Sequence, residues 1–146
     1  TGWILLDVND SENGATAGGR DGKWSGTSGT DDFANLVAQL ERVGLKAPNK
    51  GPSGSECQRQ YTDSEGVQGV ITVAFLNDIA VGGNFIQINN IPIELGIAWD
   101  KIIDGEMDGM EGDFLYWPST GKADWPDLGN LTGAARLGRC ELKLSF

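Results

Sequence analysis

The sequence predicts an α+β or mainly-β fold, in which an antiparallel sheet or sandwich carries one amphipathic helix. Short apolar runs of strand length, separated by turn residues, account for most of the 146-residue chain. The 22 glycines are about twice the usual share and indicate many turns, which favours sheets over helical bundles. A chain of this length fits one domain, so we expect a single domain over residues 1–146.

The helix is predicted over about residues 31–43. Thr30 or Ser28 can cap its start, and two aspartates in the first turn suit the helix dipole. Gly44 lies just past the expected end. The apolar residues recur at spacings of three and four and form one face, which comprises Phe33, Leu36, Val37 and Leu40. We expect this face to pack on the sheet.

Six segments are predicted as strands. They are Trp3–Val8, Val67–Leu76, Phe85–Ile88, Ile91–Trp99, Phe114–Trp117 and Arg136–Phe146. Asn89-Asn90 is a turn signal, so the third and fourth segments are expected to form a hairpin. The proline- and glycine-rich stretch 47–66 is predicted to be a loop.

The net charge of −10 excludes some partners and favours others. With 21 acidic and 11 basic side chains, the chain repels nucleic-acid phosphates and anionic membrane surfaces. No apolar run approaches the roughly 18 residues of a membrane-spanning helix, so membrane insertion is not expected. Cations are the partners that this charge favours.

The start of the chain and its cysteines suggest an exported protein. The sequence opens on Thr1-Gly2-Trp3 without a methionine, as expected of a mature chain after leader removal or of an excised domain. An even number of cysteines favours a Cys57–Cys140 disulfide, with two buried free thiols as the alternative. We therefore expect an extracellular or cell-surface location.

The chain contains no histidine. This rules out serine and cysteine nucleophiles activated by histidine, and also histidine-ligated zinc hydrolases. Only carboxylate chemistry, as in a glycosidase, remains as a catalytic hypothesis. The sequence supplies no specific pair of acids for it, so the protein is predicted not to be an enzyme.

A possible calcium loop lies in the last third of the chain. Residues 104–109 have acids at alternate positions followed by glycine, which resembles the first half of an oxygen-ligand calcium loop. The Met110 carbonyl could add an oxygen. The pattern is incomplete, because Leu115 stands where an EF-hand has glutamate, and the alternative is a solvated acidic turn. The candidate calcium ligands are Asp104, Glu106, Asp108, Glu111 and Asp113.

Three of the five tryptophans are candidates for binding. Trp24, Trp117 and Trp125 lie in or beside glycine- and proline-rich segments, where an exposed ring can stack on a sugar or anchor a protein partner. The alternative is that each ring fills a gap under its own loop. Trp3 and Trp99 are expected in the core.

Two non-enzymatic functions follow. The first is a structural subunit of a surface assembly, such as a pilin, fibre or coat protein, with calcium as the candidate stabilising ion. In this case copies of the chain would pair through the apolar terminal strands Trp3–Val8 and Leu137–Phe146. The alternative is a calcium-dependent carbohydrate-binding or adhesion module, with glycans as partners.

Overall fold

A computed structural model describes residues 40–41, 44–45, 57–78 and 81–145, without the side chains of Cys57, Gln58 and Asn77. The predicted fold class is confirmed, because the described chain forms a five-stranded antiparallel sheet with a helix. The strands are β1 Cys57–Thr62, β2 Gln68–Asp78, β3 Gly83–Pro92, β4 Phe114–Tyr116 and β5 Leu137–Lys143. Their order in the sheet is β1-β2-β3-β5-β4. Two short 3-10 helices, Leu128–Asn130 and Gly133–Arg136, precede β5.

Several predicted strands are confirmed with shifted ends. The segment 67–76 lies in β2, 85–88 in β3, 114–117 in β4 and 136–146 in β5. β2 continues through Asn77-Asp78, although this pair of residues is typical of turns. The turn follows at Val81 and Gly82, whose backbone N–H groups donate to the Asp78 carbonyl. Trp3–Val8 lies outside the described residues.

The predicted hairpin at Asn89-Asn90 is wrong. β3 continues to Pro92, and the chain then enters helix α1, Ile93–Ile103. The buried positions Ile93, Gly96 and Asp100 are three and four residues apart, so the apolar run is helical. A short apolar run does not by itself distinguish a strand from a buried helix. The missed signals are the proline before the first turn and Glu94 and Lys101 at the dipole-favoured ends.

The strand β1 is a second correction, since the stretch 47–66 was predicted as a loop. Residues 57–62 form the strand and are followed by a turn at Asp63, whereas residues 47–56 lie outside the described part of the chain. The glycines and prolines that indicated a loop all precede Cys57, apart from Gly66, which adopts φ +80° in the turn after β1. The turn is held by the Asp63 carboxylate, which accepts the Glu65 and Val67 backbone N–H groups at 2.9 and 2.8 Å.

Most of the predicted helix over 31–43 lies outside the described residues. Its described part, Leu40 and Glu41, is helical. The Leu45 N–H donates to the Leu40 carbonyl and the Gly44 N–H to the Glu41 carbonyl, with Gly44 at φ +76°. These bonds form a Schellman motif, so the helix ends at Gly44 as the sequence predicted.

The C-terminal strand is internal to the sheet. β5 lies between β3 and β4, and its antiparallel register with β4 pairs Phe114 with Leu142 and Tyr116 with Cys140. Both of its edges are therefore occupied by strands of the same chain. This corrects the expectation that the C-terminal strand is open to a neighbouring copy. A terminal strand is tied down equally well within its own sheet.

The chain divides into two compact units. One comprises Thr1–Gln58, Val73–Ile86 and Leu144–Phe146, and the other comprises Arg59–Thr72 and Gln87–Lys143. Within the second unit, the end of β3, the start of α1, β4 and β5 supply the core, whose most buried apolar residues are Ile91, Ile93, Phe114, Leu115 and Cys140. Among the described residues, no helix has the length and apolarity needed to cross a bilayer. The prediction of a single domain stays a prediction.

Candidate functional site

The loop that follows α1 and the last turn of that helix enclose a small cavity, which we call the acidic cavity. Its volume is about 100 Å³. It is lined by Asp100, Asp104, Glu106, Asp108, Glu111 and Gly112. Five acidic residues thus line one space at the C-terminal, negative end of a helix, where acids are unfavourable.

Asp104 connects the two ends of the loop that follows α1. It is the C-cap of α1, and its own N–H donates to the Asp100 carbonyl at 2.8 Å. Its carboxylate accepts the backbone N–H of Asp113 at 3.0 Å and that of Phe114 at 2.8 Å. Gly112 lies against this carboxylate at φ +82°, where a Cβ would collide with it. The Asp104 carboxylate therefore links the end of α1 to the start of β4.

The middle of the loop is shaped by Asp108 and Lys122. The Asp108 carboxylate accepts the Met110 N–H at 2.9 Å, which forms an Asx turn. The Met110 carbonyl accepts a hydrogen bond of 2.7 Å from the Lys122 ammonium group. The carbonyl that the sequence suggested as a calcium ligand is thus engaged by a lysine. Glu106 and Glu111 are exposed, so their side chains can rotate towards the cavity.

Asp100 is the buried acid of the acidic cavity. It is 0% exposed, and its Oδ2 accepts the indole N–H of Trp125 at 2.7 Å. Its Oδ1 makes no hydrogen bond of normal geometry, although the backbone N–H of Asp108 interacts with this carboxyl group. Burial raises the pKa of Asp100, the indole hydrogen bond opposes that effect, the neighbouring Asp104 raises the pKa further, and the Asp108 N–H acts to lower it. A buried oxygen without a hydrogen bond of normal geometry is costly, and a bound cation would satisfy it.

Four of the five predicted calcium ligands line the acidic cavity. Asp113 does not, since its backbone rather than its carboxylate joins the network, through Asp104 and Lys143. Asp100 was not predicted, although it stands four residues before Asp104 and would share its face once α1 is assigned as a helix. In the described part of the chain, no three acidic, cysteine or histidine side chains are already arranged to hold a metal. Calcium binding therefore stays a prediction.

The size of the acidic cavity decides which ligands it can take. A volume of about 100 Å³ holds an ion and a few waters, since a water occupies roughly 30 Å³ in the liquid. Pockets for organic ligands are roughly 300 Å³ or larger. The site therefore suits a hydrated cation rather than a sugar ring.

Of the three candidate stacking tryptophans, Trp24 lies outside the described residues. The Trp125 ring stacks on Tyr116, with centroids 4.8 Å apart, and is tied to Asp100. This arrangement matches the alternative that the ring fills a gap under its own loop. Trp117 is partly buried, while Trp99 contacts Phe114 edge-on at 6.2 Å. One face of the Trp125 ring is therefore already covered by Tyr116.

Cys140 carries a free, buried thiol. Its strand β5 is not adjacent to β1, which contains Cys57, and bridged cysteines need Cα atoms within about 7 Å. Because the side chain of Cys57 lies outside the described part, the Cys57–Cys140 disulfide stays a prediction without structural support. Burial, and then the charges of Glu141 and Asp100, raise the pKa of the Cys140 thiol.

We expect Cys140 to resist alkylation in the native protein and to react once the protein is unfolded without reductant. Burial and the raised thiol pKa both suppress the reactive thiolate. Peptide mapping after iodoacetamide treatment measures this at Cys140, with native and denatured samples compared. A Cys140 that reacts only after reduction would establish the disulfide instead.

No protein-family model, no curated protein and no solved structure matches this chain. The described part of the chain has a β-rich α+β fold, with an acidic cavity at the C-terminal end of helix α1.

Proposed function

We propose that this chain is a non-enzymatic structural subunit of an extracellular assembly, stabilised by calcium in the acidic cavity. The observation that carries the calcium site is the buried Asp100 Oδ1, which makes no hydrogen bond of normal geometry and belongs to a residue that lines one cavity together with four other acids. A cation supplies what this oxygen lacks. It also relieves the repulsion among the acids and the negative helix end.

Calcium is the cation that this set of ligands favours. All the available side-chain ligands are carboxylate oxygens, which are hard donors. Calcium accepts six to eight such oxygens with loose geometry, whereas magnesium demands a near-ideal octahedron. The exposed Glu106 and Glu111 can close onto an ion held by Asp100 and Asp108. The bound ion would fasten the loop to the end of α1.

The structural role rests on the edges of the sheet. β5 is internal, so a neighbouring copy would pair with an edge strand, and β1 is the longer of the two edges in the described sheet. Edge strands offer unpaired backbone groups to another chain. Size-exclusion chromatography over a range of concentrations tests this role, and a protein that stays monomeric throughout contradicts it.

The alternative of a calcium-dependent carbohydrate-binding module has weaker support. Of its three tryptophans, Trp125 is engaged by Tyr116 and Asp100. A carboxylate hydrolase is disfavoured because the acidic cavity is too small for a substrate ring. Both glycan binding and catalysis would need a surface other than this cavity.

Replacing Asp100 with asparagine is expected to abolish the calcium response without destabilising the calcium-free protein. The amide oxygen can still accept the Trp125 indole N–H, while a buried charge disappears. For the parent protein, calcium at about 100 times its dissociation constant should add about 2.7 kcal/mol. Thermal unfolding with CaCl2 and with EDTA measures both effects.

Matched variants separate ligand loss from general charge effects. Glu106→Gln and Glu111→Gln alter exposed cavity acids and should each weaken calcium binding by roughly tenfold. Asp124→Asn removes an exposed acid outside the cavity and should leave the affinity unchanged. An equal loss in all three variants, or no calcium effect on the parent protein, contradicts the proposed site.

A further inference from the structure

A second cavity lies in the same unit, on the side of the turn that follows β1. Its volume is about 400 Å³, within the range of pockets for small organic ligands. It is lined chiefly by Val67, Leu128, Leu131, Glu65, Thr132 and Arg136. We call it the Arg136 pocket. It shares no residue with the acidic cavity.

The guanidinium in this pocket is already engaged by the protein. Nε of Arg136 donates to the buried Asp63 carboxylate. Nη1 donates to the Leu128 carbonyl at 3.1 Å and more weakly to that of Leu131 at 3.4 Å. Nη2 lies 3.5 Å from a carboxylate oxygen of Glu94. The Arg136 side chain is thus held in one position at the edge of the pocket, and carboxylates of the same chain neutralise its positive charge.

The walls of the pocket are held in place by these bonds. Ser64 donates to Glu94 through both its backbone N–H, at 2.7 Å, and its hydroxyl, at 2.5 Å. The Asp63 carboxylate fixes the backbone of Glu65 and Val67. The turn on one side and the 3-10 segments on the other are therefore both anchored to the same ion pair. The pocket is preformed rather than assembled by its ligand.

Negative charge dominates around this pocket. Three carboxylates, those of Asp63, Glu65 and Glu94, act on the single guanidinium of Arg136 and raise its pKa. Asp63 and Glu94 also bond to Arg136 and Ser64, whereas the Glu65 carboxylate makes no hydrogen bond within the described part of the chain. Glu65 is exposed at the pocket, so its charge faces any ligand that enters.

We propose that the Arg136 pocket binds an organic cation on an aliphatic stem, the side chain of a lysine or arginine from another protein. Val67, Leu128 and Leu131 offer apolar contact to the stem, and Glu65 pairs with the charged head. Thr132 and the nearby backbone can accept the remaining N–H groups. An anion is disfavoured because Arg136, the only cation among the described lining residues, is outnumbered by the carboxylates of Asp63, Glu65 and Glu94 that act on it.

The test is a titration of the full chain, labelled with ¹⁵N, with Nα-acetyl-lysine amide and Nα-acetyl-arginine amide. Saturable shifts of the Glu65, Gly129 and Gly133 amides are expected at millimolar concentrations. Nα-acetyl-norleucine amide has the stem without the charge and should bind at least fivefold more weakly. Cadaverine, a free diamine, tells whether the cation alone suffices or the peptide backbone contributes.

Two variants make the outcome decisive. Glu65→Gln should weaken lysine-amide binding at least fivefold, while Asp124→Asn, which removes an exposed acid outside the pocket, should not. The same result is expected in CaCl2 and in EDTA, because this proposal does not depend on the acidic cavity. Equal binding of the lysine and norleucine amides, or no saturable shift, overturns it.

Discussion

Replacing Arg136 with methionine is expected to lower the thermal midpoint of unfolding by about 10 °C. Methionine keeps much of the side-chain volume, but it leaves the buried Asp63 carboxylate without its cation. The Leu128 and Leu131 carbonyls lose their donor as well. Removing one partner of a buried ion pair is far more damaging than removing both.

The double variant Asp63→Asn/Arg136→Met distinguishes the charge effect from packing. It should recover part of the lost stability, because no buried charge is then left unpaired. Calorimetry of the parent, both single variants and the double variant gives the coupling free energy between Asp63 and Arg136. A double variant whose loss equals the sum of the two single losses would show that the pair acts independently.

Asp63 also makes a sign-specific prediction about pH. The hydrogen bond from Arg136 holds the pKa of Asp63 below its ordinary value of 3.8, against the opposing effect of burial. A carboxylate with a lowered folded pKa contributes stability above the unfolded value and loses it as the pH falls through the folded one. The midpoint of Asp63→Asn should therefore lie below the parent's at pH 7 and approach it below pH 3.8.

The second large effect is expected at Gly96, in the middle of α1. Alanine would normally stabilise a helix interior by roughly 1 kcal/mol relative to glycine. Here a Cβ would lie 2.7 Å from the Trp125 ring and 3.3 Å from the Cys140 sulfur. Overpacking of this kind costs about 1–3 kcal/mol, so after the propensity gain we expect Gly96→Ala to be destabilising by up to about 2 kcal/mol overall.

The displaced group is Trp125, so the same variant has a spectroscopic signature. Moving the ring breaks or lengthens its hydrogen bond to Asp100 and disrupts its stacking on Tyr116. A shift of the tryptophan emission should accompany the loss of stability in urea unfolding. Gly121→Ala is the control, because a Cβ there meets nothing within 4 Å. If Gly96→Ala is stabilising, the close packing of Trp125 on α1 is wrong.

The acidic cavity was partly predictable from the sequence. Alternate acids followed by glycine marked residues 104–109, and four of the predicted ligands line the cavity. Asp100 was missed because the apolar run before it, Ile91–Trp99, was predicted to be a strand ending at Trp99, so no helix related Asp100 to Asp104. Once Ile93–Ile103 is a helix, the two acids are one turn apart. The error in secondary structure thus hid the most informative residue of the site.

Local sequence determined the β-rich class, most strand positions and the helix end at Gly44, because glycine content, apolar run length and capping are short-range properties. Tertiary structure decided what those patterns leave open. It placed α1 rather than a strand after Pro92 and made β5 internal, and it joined Asp63 to Arg136 across 73 residues. Each of these three outcomes depends on which helices and strands bury one another's apolar faces and form hydrogen bonds with one another's polar groups. A short segment of sequence does not contain that information.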